Sequence, residues 1–324
     1  MLLGRFTQED TFTQEDNAST AARLGVVLDP QSVLDVTGVL ADFAPAADMM
    51  TALIAAGDPG LDAVRARVTR STVADVHDMA QLRWLAPLEP CRMRNFSVYD
   101  GHIRNAFRAA IELRAGRLAG RIFAASNLFP PRRWYERPSY YKGNHLSVIG
   151  PCDNIVAPPY TDQLDYELEL AVIIGKAGAN IAAADADQHV FGYTLLNDVS
   201  ARDVMARELL SGMGPAKSKD FDTGNVLGPW IATRDDIADP RALQGWVAVN
   251  GERRSQCSTS DMCHGIGAML AEASRSETLM PGELFGTGCC TGGSGIEQKF
   301  FLRIGDIVEM TLGPFGTQQN RVVG

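Results

Sequence analysis

No apolar run in this sequence reaches the ~18 residues that a membrane-spanning helix needs. The first residues, MLLGRFTQEDTFTQED, are acidic and lack the long apolar core of a secretory leader. A surplus of positive charge is also missing. Net charge is −9, so neither a nucleic acid nor an anionic membrane would meet a basic surface. The six cysteines follow no metal-ligand spacing and no small-scaffold pattern. Cys289 and Cys290 are adjacent, which strains any bond between them. Ordinary packing of free thiols in a reducing, cytoplasmic setting is the expectation. The glycine-rich run 286–295 has no Walker lysine and no strand–helix context, which removes the argument for a phosphate site. What remains is a chain of 324 residues with 45% hydrophobic and 21% charged content, enough for one large domain beside a small one.

Residues 1–85 read as a small leading module and 86–324 as the main domain. FTQED occurs twice, at Phe6–Asp10 and Phe12–Asp16, a duplication short enough for a hairpin or loop. Leu24–Asp29 reads as a strand entering a turn at Asp29-Pro30. Two helical stretches follow, Ala47–Ala56 and Leu61–Val68, broken by Gly57-Asp58-Pro59-Gly60. Beyond Pro87 and Pro90 the spacing predicts a helix over Ile103–Leu118. His102 stands at its junction with the preceding loop, where a side chain can face a cleft. Val204–Leu210 and Ala268–Ser276 also read as helices, and Leu227–Ile231 as an apolar strand. Alternation into Asn250-Gly251 predicts a hairpin. The C-terminal part reads as short strands joined by glycine-rich turns, Asp306 being a turn residue. Lys217, Arg132 and Arg133 read as solvated and His145 as structural. Many short strands with few helices make this an α+β, β-rich fold.

The chemistry gathers between Leu164 and Asp203. Glu167 and Glu169 sit two apart in an otherwise apolar run. On a strand, period two puts both on one face, roughly 6.6–6.8 Å apart along it, with Leu168 and Leu170 facing the other way. Two inward carboxylates repel unless a cation or a shared proton intervenes. A second apolar segment, Val190–Leu196, ends at Asn197-Asp198. Three carboxylates without thiolate or imidazole suit a hard divalent ion: Mg²⁺ first, with Mn²⁺ or Ca²⁺ as alternatives. An isolated E-x-E is more often a solvated strand edge. The charged cluster Asp198-Val-Ser-Ala-Arg202-Asp203 straight after an apolar strand argues the other way.

Taken in order, LDYELELAVIIGK, GYTLLNDVSARD, KDFDT, LGPWI, VNGE, PGELFGTG, GSGIE and GDIVEM form a set that resembles the fumarylacetoacetate hydrolase family across roughly residues 87–324. The resemblance implies a β-sandwich or β-roll C-terminal domain behind a small N-terminal one, a homodimer and a divalent metal. It implies metal ligation by Glu167, Glu169 and Asp198, with Asn95 where long hydrolytic members carry a fourth-ligand aspartate. It assigns water activation to His102 with Glu297 as partner, substrate-oxygen contacts to Arg202 and Lys219, and a substrate contact to Tyr141. Met205 replaces a glutamine that contacts substrate, and Cys289 replaces a threonine.

The expectation is therefore a metal-dependent hydrolase that cleaves a carbon–carbon bond in a small 2-oxo or diketo acid. Water would be activated by His102, Arg202 would pair with a substrate carboxylate and Lys219 would stabilise oxyanion charge. A decarboxylase, isomerase or hydratase of 2-oxo acids on the same site is the alternative, and a catalytically silent protein of the same fold is a third reading.

Overall fold

The computed structural model describes residues 1–8, 22–40, 48–72, 75–126, 129–212 and 214–324. The second FTQED copy lies outside them. The fold is α+β and β-rich. Ten strands run in order across the larger sheet: Val76–Asp78, Ser32–Asp35, Arg23–Asp29, Leu2–Gln8, Ile231–Thr233, Val190–Asp198, Glu167–Ile174, Glu283–Ser294, Arg92–Ser97 and Ser139–Gly143. A second sheet orders Glu252–Ser258, Gln244–Val249, Ile307–Leu312, Thr317–Val323 and Ile155–Val156. The helices among the described residues are α1 (Met49–Thr69), α2 (Asp100–Ser126), α3 (Arg202–Ser211) and α4 (Ile266–Ala273). None is long and apolar enough to cross a membrane.

Strand Glu167–Ile174 is the centre of the construction, and all eight of its residues are buried. A strand covered on both faces reads as a nearly unbroken apolar run. Its period-two alternation sorts side chains between two cores. Leu168, Leu170, Val172 and Ile174 join a cluster with Val247, Met310 and Leu312 of the smaller sheet. Ala171 and Ile173 face the other way, into a cluster with Leu3, Leu53 and Ile54 from the leading segment. Glu167 and Glu169 share that second parity, so the expected co-facial pair is present. It is buried rather than solvated.

The leading segment extends the same sheet. Leu2 and Leu3 pair with Ala232 and Ile231, so residues before 85 share both a sheet and a core with residues after it. Helix α1 is capped by Asp48, which accepts from the Met50 and Thr51 amides, and it is broken at Gly57 (φ 59°). That positive φ, disfavoured for residues with a Cβ, divides the two helical stretches where the sequence breaks them. The Asn250-Gly251 hairpin is present, with φ of 52° and 77°, the pairing a type I′ turn requires.

Three expectations are corrected. Helix α2 starts at Asp100 rather than Ile103, which places His102 in its first turn, and it continues past Leu118 to Ser126 with an interruption at Gly116 (φ 84°). The Leu227–Ile231 strand is two strands, Asn225–Leu227 and Ile231–Thr233. Gly228 (φ 97°) turns the chain between them, and Pro229 has no N–H for a ladder. The glycine-rich run is not a set of turns but most of a twelve-residue strand, Glu283–Ser294.

Strand Arg92–Ser97 is held to it through fully buried Arg94, which pairs with Glu283 and Glu277. Arg94 also lies over the rings of Phe285 (5.4 Å) and Tyr140 (5.6 Å). Arg94→Met leaves buried Glu283 with Arg92 Nη1 at 3.2 Å as its remaining cation, which is expected to cost roughly 3 kcal/mol. Urea unfolding should show the midpoint drop, and the double variant Arg94→Met/Glu283→Gln should recover much of it.

Candidate metal centre and active site

The sheet brings the candidate residues together by register. Asn95 pairs with Tyr141 on one side and with Gly286 on the other. Gly286 pairs in turn with Ala171, and Glu169 with Cys289 and Leu196. The ladder between Glu167–Ile174 and Glu283–Ser294 shifts register on both sides of Glu169, an irregularity of the kind that re-aims side chains beside sites. Asp198 closes its own strand.

Carboxylate oxygens of Glu167, Glu169 and Asp198 lie within 4.8 Å of one another. Lys219 Nζ donates to Glu167 Oε2 and Asp198 Oδ2, both at 2.6 Å, and to the Asp198 carbonyl at 3.1 Å. Arg202 donates from Nη2 to Glu167 Oε1 at 2.5 Å and from Nε to Asp165 Oδ2 at 2.7 Å. Its Nη1 lies 3.6 Å from Met205 Sδ. Tyr141 donates to Asp198 Oδ2 at 2.7 Å, and Asn95 Nδ2 to the same oxygen at 2.6 Å and to Glu169 Oε1 at 3.2 Å. The Gly288 amide donates to Glu169 Oε2 at 3.1 Å.

Charge is unbalanced here. Asp165, Glu167, Glu169 and Asp198 are all buried, against two buried cations, Arg202 and Lys219. Burial opposes ionisation of Glu167, but Arg202, Lys219 and His102 hold its carboxyl below the usual range. Among the described residues no cation pairs with Glu169; burial, Asp198 and Glu167 push its carboxyl well up. Burial also raises Asp198, with Lys219 pulling the other way and Glu167 adding to the rise. Tyr141 is raised by burial and by Asp198, so it stays a donor. Among the described residues, two buried oxygens of the cluster, Asn95 Oδ1 and Asp198 Oδ1, have no hydrogen-bond partner. An all-oxygen donor set, two unpartnered oxygens and an excess of two negative charges fit a hard divalent cation. Glu167, Glu169 and Asp198 could hold it, with Asn95 Oδ1 beside them.

The glycines follow from this crowding. A Cβ at Gly286 would come within 2.5 Å of Asn95 Oδ1 and 2.7 Å of Glu169 Oε2. Gly288 needs its positive φ (88°) and would meet the Phe96 carbonyl at 2.5 Å.

His102 stands beside the carboxylates. Its Nδ1 is 2.8 Å from Glu297 Oε1, and its Nε2 is 3.6 Å from Glu167 Oε1. Glu297, in the short helical turn Ile296–Gln298, also accepts from the Gly292 amide (3.0 Å), Asn105 Nδ2 (3.0 Å) and Ser294 Oγ (3.1 Å). Burial opposes its ionisation, but these donors and His102 hold its carboxyl below the usual range. An ionised carboxylate only accepts, so Nδ1 carries the proton in this pair. Cys289 Sγ joins His102 and Glu297 within 4.8 Å. Burial and Glu167 push its thiol well up, which does not suit a thiolate nucleophile.

A cavity of about 1090 Å³ joins these groups. Asn95, His102, Tyr141 and the three carboxylates line it, as do Arg202, Met205, Lys219 and Cys289, while Glu297 sits behind His102. Two contributors were not singled out in the sequence. Asp165 is fully buried and accepts from Gly295 and Ile296 amides as well as Arg202. Its signal was present, because Asp165, Glu167 and Glu169 continue one period-two series. Asn105 lies three residues after His102, one turn along α2, and the H-x-x-N spacing marks it.

Residues 105–323 match the family model described as fumarylacetoacetate (FAA) hydrolase C-terminal. The chain belongs to this family. It is 38% identical over 189 residues to oxaloacetate tautomerase YisK of Bacillus subtilis (strain 168), covering 58% of this chain and 62% of that protein. It is 40% identical over 179 residues to the mitochondrial oxaloacetate tautomerase FAHD2B of Homo sapiens, covering 55% and 56%. The chain thus spans less than two thirds of the length of these curated relatives. Among solved structures, maleylpyruvate hydrolase from Sphingobium sp. SYK-6 in complex with manganese(II) and pyruvate superposes with a TM-score of 0.72 at 26% identity, over 100% of this chain and 99% of that one. Fumarylacetoacetate hydrolase from Exiguobacterium antarcticum gives 0.72 at 27% identity, again over 100% and 99%. This is a family of enzymes whose members include hydrolases and tautomerases.

Two measurements test the cluster. Burial, Asp198 and Glu167 push the Glu169 carboxyl up, so a cation binding there competes with a proton. Mg²⁺ or Mn²⁺ affinity should therefore rise with pH, by about tenfold per unit until that carboxyl ionises freely. Calorimetry in buffers of different ionisation heat should register the released proton, and Glu169→Gln should abolish the release and weaken binding. Gly286→Ala should lower divalent affinity at least about tenfold while far-UV circular dichroism stays unchanged.

Proposed function

We propose that the chain is a divalent-metal-dependent hydrolase that cleaves a carbon–carbon bond in an acylpyruvate-type 2-oxo acid. The observation that carries this reading is the His102–Glu297 pair, aimed at the carboxylate cluster from the wall of a cavity that continues well beyond it. A divalent ion held by Glu167, Glu169, Asp198 and Asn95 would supply Lewis-acid polarisation of the acid's adjacent oxygens. Mg²⁺ is the first choice for an all-oxygen site, and the manganese in a related hydrolase supports Mn²⁺ as the second. Glu297 fixes the ring and tautomer of His102, whose Nε2 takes a proton from water. Hydroxide adds to the remote carbonyl carbon, the bond to the 2-oxo acid portion breaks, and that portion takes up the proton. The products are a carboxylate and a shorter 2-oxo acid. Lys219 Nζ and the Tyr141 hydroxyl, both on Asp198, stand where they can donate to substrate oxygens as negative charge develops. Arg202 orients Glu167 and Asp165, with Nη1 left toward the cavity. Exposed Leu118 and Ile122 on α2, at 72% and 63%, support a homodimer.

A second reading is favoured by the relatives 38–40% identical and named oxaloacetate tautomerases. There the same imidazole would shuttle a proton at the carbon beside the carbonyl, without attack by water.

Turnover of an acylpyruvate in ¹⁸O-labelled water separates the two. Hydrolysis places label in the released carboxylate; a tautomerase leaves the carbon skeleton intact and, in ²H₂O, takes up deuterium beside the carbonyl. His102→Ala should lower kcat by about 10²–10⁴-fold with Mg²⁺ affinity unchanged. Loss of metal together with activity would remove His102 from the role of base.

A further inference from the structure

The floor of the cavity is polar, and its walls are not. Helix α2 sets Ile103, Phe107 and Ile111 at four-residue intervals along the cavity, and α3 sets Met205 and Leu209 at the same interval. All five remain partly exposed, so the apolar surface facing the cavity is not consumed by packing. Phe129 stacks on Phe107 with centroids 4.1 Å apart, adding an aromatic edge. At about 1090 Å³ the space stands at the top of the roughly 300–1,000 Å³ usual for small-molecule sites. A four-carbon 2-oxo diacid would leave those walls uncovered.

Charge points the same way. The two buried cations of the cavity, Arg202 and Lys219, sit against Asp165, Glu167 and Asp198 at its polar floor. The other cations lining it, Arg114 and Lys142, are exposed to solvent. A second substrate carboxylate laid against Phe107, Ile111 and Leu209 would lose its water without gaining a buried partner.

We propose that the substrate's distal group is an uncharged alkyl or aryl chain lodged between α2 and α3, with Phe107, Ile111 and Leu209 setting that specificity. This rests on the 2-oxo acid reading of the polar floor and names the half of the substrate that the floor does not touch. The acyl portion released by hydrolysis is then a fatty or aromatic carboxylate rather than a short diacid.

N-alkyl oxamates test this, since each carries a carboxylate beside a carbonyl and does not react. Calorimetry with the full chain and saturating Mg²⁺ should show Kd falling about fourfold per methylene from ethyl to hexyl. An ω-carboxylated oxamate of equal length should bind at least tenfold more weakly than the hexyl compound, and Phe107→Ala should flatten the dependence on length. Oxamates that bind with Kd independent of tail length, or most tightly with the ω-carboxylate, overturn the tail assignment and leave the floor reading standing. If no oxamate binds at any length, the floor reading falls and takes the tail assignment with it.

Discussion

Four carboxylates buried against two cations are an arrangement that water would ordinarily dissolve. Burying an unpaired carboxylate costs several kcal/mol or forces it to keep a proton, so the surrounding architecture is arranged to make this excess tolerable. Asp165 is saturated by three amides and Arg202. Glu167 sits between Arg202 and Lys219, and Asp198 takes Lys219, Tyr141 and Asn95. Glu169 is left to an amide N–H and Asn95, with its carboxyl well above the usual range. The imbalance is thus concentrated at one end of the cluster, beside the unpartnered Asn95 and Asp198 oxygens.

That concentration explains features that look unrelated. Strand Glu283–Ser294 carries glycine at 286 and 288, which strands normally disfavour. Here the Asn95 and Glu169 side chains leave no room for a Cβ at 286, and the Phe96 carbonyl leaves none at 288. The register shifts flanking Glu169 come from the same demand. On the far side of the strand, Leu168 to Ile174 pack into an uninterrupted apolar cluster. The core that holds the sheet rigid is separated from the charge by a single strand's thickness.

Much of this was legible in the sequence. Period two in LDYELEL identified Glu167 and Glu169 as co-facial, and apolar alternation with Asn-Gly identified the hairpin at 250–251. The Gly57–Gly60 breaker separated the two parts of α1. The illegible parts share a physical reason: they depend on partners far away in sequence. Nothing local says that the glycine-rich run through Ser294 forms a strand, because the crowding at Gly286 comes from Asn95 and Glu169 and that at Gly288 from Phe96. Nothing around Arg202 says that its guanidinium is occupied by Asp165 and Glu167. Conversely, Asp165 is readable from its own period, since Asp165, Glu167 and Glu169 form one period-two series. The start of α2 at Asp100 matters most, since it puts His102 on a rigid first turn rather than on a loop.

The pairing of Leu2–Leu3 with Ala232–Ile231 also has a kinetic side. The cavity draws on positions from Asn95 to Ile296, and the sheet beneath it joins the first strand to one more than two hundred residues later. Loops of that length close slowly, and long-range strand pairing sets the pace of folding in such topologies. The three carboxylates, by contrast, come from two strands that pair directly with each other, and a cation that binds only the folded cluster draws the chain toward its native state by mass action.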